Sequence, residues 1–319
     1  MYVWFDSMRP ASGIAVSAIY IFITMKNYRV LLFYKYVNVV NPALFADNHL
    51  KWCVQNDIKG RVFVAKEGIN GTVSGAIENI EKYKTSLTNY PEFKDIVFKE
   101  DDERQHAFSA IHVRLKDEIV NSGLKTISQG NGGKRLSPAQ LFEFYKTGED
   151  FIIVDVRNSY ESKIGKFKDA VTPQMQNFRQ WPSAVETLKE FKDKKIVTYC
   201  TGGIRCEKAS AYLIEQGFKD VYQFEGGIVS FTKKYPDTYW FGGVFVFDER
   251  RIIEPNTNPA LKYISNCYFC GTPAAYYINC HNLDCDKIIV SCHKCKIDNN
   301  YCCSDECRNA SNKRNKYYG

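Results

Sequence analysis

Residues Cys200 to Arg205, Cys-Thr-Gly-Gly-Ile-Arg, bring a thiol, two glycines and a guanidinium together within one short segment. They follow the apolar run Ile196-Val-Thr-Tyr199 and precede Cys206-Glu-Lys-Ala-Ser, so the pattern reads as buried strand, tight loop, helix. Such a loop aims its backbone N–H groups and the positive end of the following helix at one point, and Gly202 and Gly203 let the backbone close around it. Amide dipoles and a nearby cation favour the charged form of a cysteine held there. Cys200 is therefore the candidate nucleophile, and Arg205 with the loop amides stabilises charge that develops on it. A thiolate so placed can take a sulfane sulfur and hold it as a persulfide, or attack phosphate. The loop is one residue shorter between Cys200 and Arg205 than the phosphatase loop that uses the same logic, which makes the pocket too small for a phosphoryl group. Cys206, in the first helical turn, is a candidate resolving thiol for an oxidised Cys200, with a packed helix residue as the alternative.

A second constellation lies at the C-terminal end. Of 12 cysteines, nine fall between Cys267 and Cys307, in pairs: Cys267 with Cys270, Cys280 with Cys285, Cys292 with Cys295, and Cys303 with Cys307, Cys302 being extra. Close pairs a short distance apart have zinc-ligand spacing, since each pair presents two thiolates and two pairs complete a tetrahedron. Eight thiolates would hold two Zn²⁺ and leave no open coordination position, so the expected role is structural, with an iron–sulfur cluster or redox-active thiols as the alternatives. Interleaved pairing, first with third and second with fourth, is one arrangement among several that spacing allows, and His281 or His293 could replace a cysteine. So few apolar residues would hardly fold this segment without metal.

The elements that must position these groups fall into three parts. Residues 25–120 follow a β-α-β-β-α-β order, the ferredoxin-like plan, with strands at Val30 to Tyr36, Arg61 to Ala65, after Gly71, and Phe108 to Leu115. Within it, Lys66-Glu-Gly-Ile-Asn-Gly-Thr72 has the glycines of a tight turn. It is either a plain hairpin connection or a loop facing Cys200 in which Lys66 and Asn70 grip a substrate backbone. A glycine-rich linker spans 121–136, closed by Ser137-Pro138 as a helix start. Residues 137–240 alternate strands (151–156, 196–199, 221–224) with helices, which implies a parallel sheet with its functional groups at the strand carboxyl ends. Arg157 and Glu161 are expected to pair as buried ions, and Trp181 to approach the active face and stack on a base, with a packing role as the alternative. The cysteine-rich segment takes 241–319. Residues 1–24 read as a leader or a mis-assigned start, the apolar run after Gly13 being too short to cross a bilayer.

The loop with Ile153-Val-Asp-Val-Arg157, Glu161 and Val221-Tyr-Gln-Phe-Glu-Gly-Gly227 resembles a rhodanese domain. Adding Val64-Ala-Lys-Glu-Gly-Ile-Asn-Gly-Thr72, Tyr199 to Lys208, Phe247-Asp-Glu-Arg-Arg251 and the cysteine pairs narrows the resemblance to the tRNA uridine(34) hydroxylases, from about Arg29 to about Cys307. The fold implied is α/β and multidomain: an N-terminal ferredoxin-like (acylphosphatase-like) α+β domain, a rhodanese domain with a parallel sheet, and a small zinc-binding segment. The activity implied is conversion of the wobble uridine of tRNA to 5-hydroxyuridine, with O₂ as co-substrate and Cys200 as a persulfide-bearing residue. The substrate contacts expected are Lys66, Asn70, Gly202, Gly203 and Trp181. A net charge of +7 suits an RNA partner without requiring one. The residues themselves stop at a reactive thiol. No flavin, haem or nicotinamide motif is present, and how a persulfide would serve O₂ chemistry does not follow from them. A sulfurtransferase using a small sulfur donor, and a binding module with an inert Cys200, stay open on the same residues. The expected setting is the cytoplasm, with tRNA and a small sulfur donor or reductant as partners and no membrane.

Overall fold

The computed structural model describes residues 26–124 and 131–314. The expected leader over 1–24 and most of the glycine-rich linker lie outside them.

The first part is built on strand β1 (Tyr28–Tyr36), helix α1 (Pro42–Gln55), β2 (Lys59–Ala65), β3 (Gly68–Ala76), α2 (Ile77–Thr88), β4 (Val97–Glu103) and β5 (Ile111–Leu115). The sheet order is β4-β1-β3-β2-β5, which is the ferredoxin-like plan with β5 added parallel to β2 at one edge. Strand β4 corrects the sequence reading. Its sequence, Val-Phe-Lys-Glu-Asp-Asp-Glu, carries almost no apolar alternation, so the pattern points instead to Phe108 to Leu115, most of which forms the added edge strand. One face of β1 is core: Leu31 and Phe33 have no exposed surface and pack with Val62, Ile69, Ile80 and Tyr83. Alternation then turns Leu32, Tyr34 and Tyr36 to the opposite face.

The second part opens with β6 (Lys134–Leu136) and α3 (Pro138–Thr147), whose start is closed by a reciprocal cap between Ser137 and Gln140. It continues through β7 (Ile152–Asp155), α4 (Ser159–Ser162), β8 (Gly165–Phe167), α5 (Trp181–Glu186), β9 (Lys195–Tyr199), α6 (Ile204–Glu215), β10 (Asp220–Phe224) and α7 (Gly227–Lys234). The sheet β6-β10-β9-β7 is parallel throughout. Its two apolar layers bury Trp181, Leu213 and Val221 on one side and Tyr199, Phe224 and Phe231 on the other.

The last part begins inside the second. Strand β11 (Trp240–Gly242) pairs with β8, and Trp240 is fully buried among Phe167 and Tyr199. Short strands β12 (Val244–Phe245) and β13 (Ile252–Ile253) follow, then β14 (Tyr277–Asn279), β15 (Ile288–Val290) and helices α8 (His293–Asp298) and α9 (Asp305–Asn309). No helix among the described residues is long and apolar enough to cross a membrane.

Candidate active site and metal centres

Cys200 sits at the carboxyl end of β9 and has no exposed surface. The Gly203 N–H donates to its Sγ at 3.1 Å, and Gly203 adopts φ +103°, a conformation that side chains resist. The loop carbonyls turn the other way. The N–H groups of Ile228 and Val229, at the start of α7, donate to the carbonyls of Cys200 (3.1 Å) and Thr201 (3.2 Å). Gly227 permits this contact: a Cβ there would lie 2.4 Å from the Thr201 oxygen and 2.7 Å from that of Cys200. The Glu-Gly-Gly motif at 225–227 is therefore the plug that forces the loop amides inward.

Burial alone would keep Cys200 protonated, yet its pKa is lowered. A hydrogen bond from the Cys206 thiol, the Arg205 charge and the amides of Arg205 and Gly203 outweigh the desolvation. Cys206 moves the opposite way: burial, and then the adjacent Cys200, push its thiol well above the usual range. The two shifts favour Cys200 as the thiolate of the pair and Cys206 as the thiol that donates to it.

The ion pairs differ from the expected one. Glu161 binds Arg205 through both oxygens, at 2.6 and 2.8 Å, while Arg157 pairs with Asp155 at 2.6 and 2.8 Å, all four groups being buried. The expected Arg157–Glu161 pair fails because each arginine has a closer carboxylate in its own line of sight. Arg205 is thereby fixed in plane before any substrate arrives.

The first part covers this loop with β1 rather than with the 66–72 segment. A Cβ on Gly202 would stand 2.8 Å from Leu32 Cδ2, and one on Gly203 3.0 Å from the Tyr34 hydroxyl. Tyr34 donates to Glu207 Oε1 (3.3 Å) and Tyr36 to the Ile204 carbonyl (3.4 Å). Residues 66–72 form a hairpin, with Lys66 and Glu67 as its two-residue turn. Lys66 is exposed and Asn70 spends its amide on the Ile119 carbonyl at 2.9 Å, and neither lines the cleft described next. Glu67 is the member of this motif that reaches the second part: it accepts from Lys208 Nζ on α6 at 3.0 Å, and Glu118 accepts from the same ammonium at 2.8 Å. Trp181 is also corrected. It is fully buried in the core, its indole N–H directed at the Ala209 carbonyl (3.3 Å), and cannot stack on a base from there.

Beside the covered thiol a cleft of about 790 Å³ opens between β1 and β4 on one wall and α3, α6 and α7 on the other. Tyr34, Lys99, Arg135, Glu207, Glu225 and Gly226 are among its lining. Lys99 and Tyr34 escaped the sequence reading. Lys99 lies in the charged strand that did not register as a strand, and the only signal for Tyr34 was its position on the outward face of β1. The Phe247–Arg251 run now has a physical role. Arg250 bridges Asp248 to Asp101 (2.6 Å) and Glu103 (3.2 Å) of β4, and the Phe247 ring lies 5.9 Å from the Arg205 guanidinium, so this run ties the cleft wall to the loop.

The cysteine pairs converge as two sets of four: Cys267, Cys270, Cys292 and Cys295, and Cys280, Cys285, Cys303 and Cys307, with the sulfurs of each set within 4.8 Å of one another. First joins third and second joins fourth, an interleaved cross-brace. A tetrahedron with Zn–S bonds of about 2.3 Å has sulfur–sulfur edges of about 3.8 Å. The separations Cys270–Cys292 (3.8 Å), Cys285–Cys303 (3.7 Å) and Cys303–Cys307 (3.7 Å) fit that figure. His281 stacks on Tyr301 and Cys302 points to the Asn300 carbonyl, so both stand outside the sets.

Comparison with known proteins agrees with this architecture. Residues 28–119 match the UPF0176 acylphosphatase-like domain, 137–234 the rhodanese-like domain and 241–308 the rhodanese C-terminal family. The tRNA uridine(34) hydroxylase of Cytophaga hutchinsonii is 41% identical over 91% of this chain and 93% of its own. The chain belongs to the tRNA uridine(34) hydroxylase family. Further members of that family are 44% identical: those of Bacillus licheniformis, over 89% of both chains, and Staphylococcus saprophyticus, over 90% of this chain and 92% of its own. The match to these relatives covers all three parts of the chain and not the rhodanese-like domain alone.

Proposed function

We propose that this protein hydroxylates the wobble uridine of tRNA at C5, with O₂ as the oxygen source, and that Cys200 is the reacting group. The observation that carries the reading is a buried Cys200 sulfur that accepts from the Gly203 N–H, with Arg205 and Cys206 beside it favouring its charged form, at the seam of two domains and beside a cleft large enough for a nucleotide. The shared name of the relatives supports the substrate and the reaction. In this reading the Cys200 thiolate takes a sulfane sulfur from a small persulfide or thiosulfate donor, whose thiol or sulfite leaves, and the terminal sulfur of the resulting persulfide extends beyond the buried Sγ. The amides of Gly203 and Arg205 and the fixed Arg205 side chain stabilise its negative charge. Hydroxylation places one oxygen atom of O₂ on C5 and reduces the other to water, which consumes two electrons and two protons from a reductant of the thiol class. The eight thiolates hold two Zn²⁺ as structural ions that fold the C-terminal segment and supply no open coordination position. A tRNA substrate and unpaired thiols fit the cytoplasm.

Nucleoside mass spectrometry of tRNA incubated with the protein tests the reading. The expected product is a uridine heavier by one oxygen, formed in air, absent under anaerobic conditions and absent with Cys200→Ser. Loading of sulfur onto Cys200 from a small donor, with no change in the RNA, would instead make the protein a sulfurtransferase.

A further inference from the structure

Lys99 is the residue of the cleft wall with no assigned task. In β4 it stands opposite Leu32 of β1, and cross-strand partners project from the same face, so it shares the face that covers the Cys200 loop. Its Nζ lies 5.1 Å from the centre of the Tyr34 ring, and its Cε would be 3.8 Å from a Cβ on Gly226, in the plug beneath the loop. The other cations around it are engaged. Lys35 pairs with Asp95, Arg135 with Glu207 and Glu225, and Lys208 with Glu67 and Glu118. Among the described residues no carboxylate lies within ion-pair distance of Lys99 Nζ, and its burial lowers its pKa despite Cys200 and Glu225. A recessed ammonium without a carboxylate partner offers donors only and awaits an acceptor.

The geometry points to Lys99 as the group that receives the substrate base, donating to the O4 carbonyl of uracil. This rests on the function proposed above. For C5 to face the Cys200 loop, the polar atom beside C5 must face the same wall, and that atom is O4. Cytosine presents an amino group there, so a donor-only side chain also selects uridine over cytidine. A phosphate contact suits the exposed Lys234 better, in the last turn of α7 among the lining of the same cleft, its neighbour Lys233 already donating to the Glu100 carbonyl at 2.9 Å.

The test measures binding of anticodon stem-loop RNA under anaerobic conditions, with uridine or 2-pyrimidinone riboside, which lacks the O4 acceptor, at the wobble position. Wild type is expected to prefer uridine by about tenfold, the scale of one charge-assisted hydrogen bond. Lys99→Met should lose that preference and Lys99→Arg, which keeps a donor-only cation, should retain much of it. Equal weakening of both RNAs by Lys99→Met, with a smaller salt dependence, would mean a phosphate contact and overturn the assignment. A preference that survives Lys99→Met overturns it as well. Aerobic turnover by the same wild-type preparation separates the two ideas: without hydroxyuridine the functional reading fails, whatever the binding preference shows.

Discussion

The surroundings of Cys200 and Cys206 push their thiols in opposite directions, and that difference is open to direct measurement. Because the Cys200 pKa is lowered and that of Cys206 raised, the thiolate persists as pH falls below the range of an ordinary cysteine. The rate of Cys200 alkylation by iodoacetamide should therefore stay level from about pH 8 to about pH 6, where a free thiol with pKa near 8.5 would lose most of its reactivity. Cys206→Ala removes the thiol hydrogen bond and is expected to move the acid limb upward. An unchanged profile would show that Arg205 and the amides do all the work. At this scale the cradle around Cys200 was legible in the sequence, since strand, Cys-x-Gly-Gly-x-Arg and helix leave few ways to fold. The partners of the buried charges were not legible. Asp155, Arg157, Glu161 and Arg205 could pair in several ways, and the choice depends on side-chain directions in the finished loop. Trp181 misled for a related reason: a tryptophan on a connection looks accessible until the helix it starts is packed against α6.

Among the elements, periodicity failed where charge replaced it. Strand β4 was invisible because its residues are solvated or paired across the sheet, as in the Arg29 bonds to Asp102 and Glu100. Of the two readings of residues 66–72, a hairpin connection or a ligand loop, the hairpin is the one found, with Gly68 and Gly71 in β3, and the member that reaches the second part is Glu67. The cysteine spacing was legible in full, but not which pairs combine. The cross-brace has its own test. Elemental analysis should find two zinc ions per chain, and a strong chelator should unfold the segment from Cys267 to Cys307, seen as new protease cleavage there. One ion per chain, or the visible absorbance of an iron–sulfur cluster, would contradict the assignment.

For the whole molecule the decisive contact joins residues far apart in sequence, which is why no local pattern announced it. Strand β1 lies over Gly202 and Gly203, and Lys208, itself buried, locks α6 to Glu67 and Glu118 of the first part. This pairing holds the first part against the loop that carries the fully covered Cys200. Lys208→Met is expected to raise the Cys200 alkylation rate about tenfold, equivalent to about 1.4 kcal/mol of opening free energy, without moving its pH midpoint. A rate equal to wild type would mean that access does not run through this seam. The central claim joins that covered thiolate to oxygen chemistry on tRNA, and ¹⁸O₂ tests it most directly. Incubation of unmodified tRNA with the protein and a thiol reductant under ¹⁸O₂ should give wobble hydroxyuridine carrying one heavy oxygen, and none with Cys200→Ser. Product whose new oxygen is unlabelled, or labelled product formed by Cys200→Ser, would contradict the account.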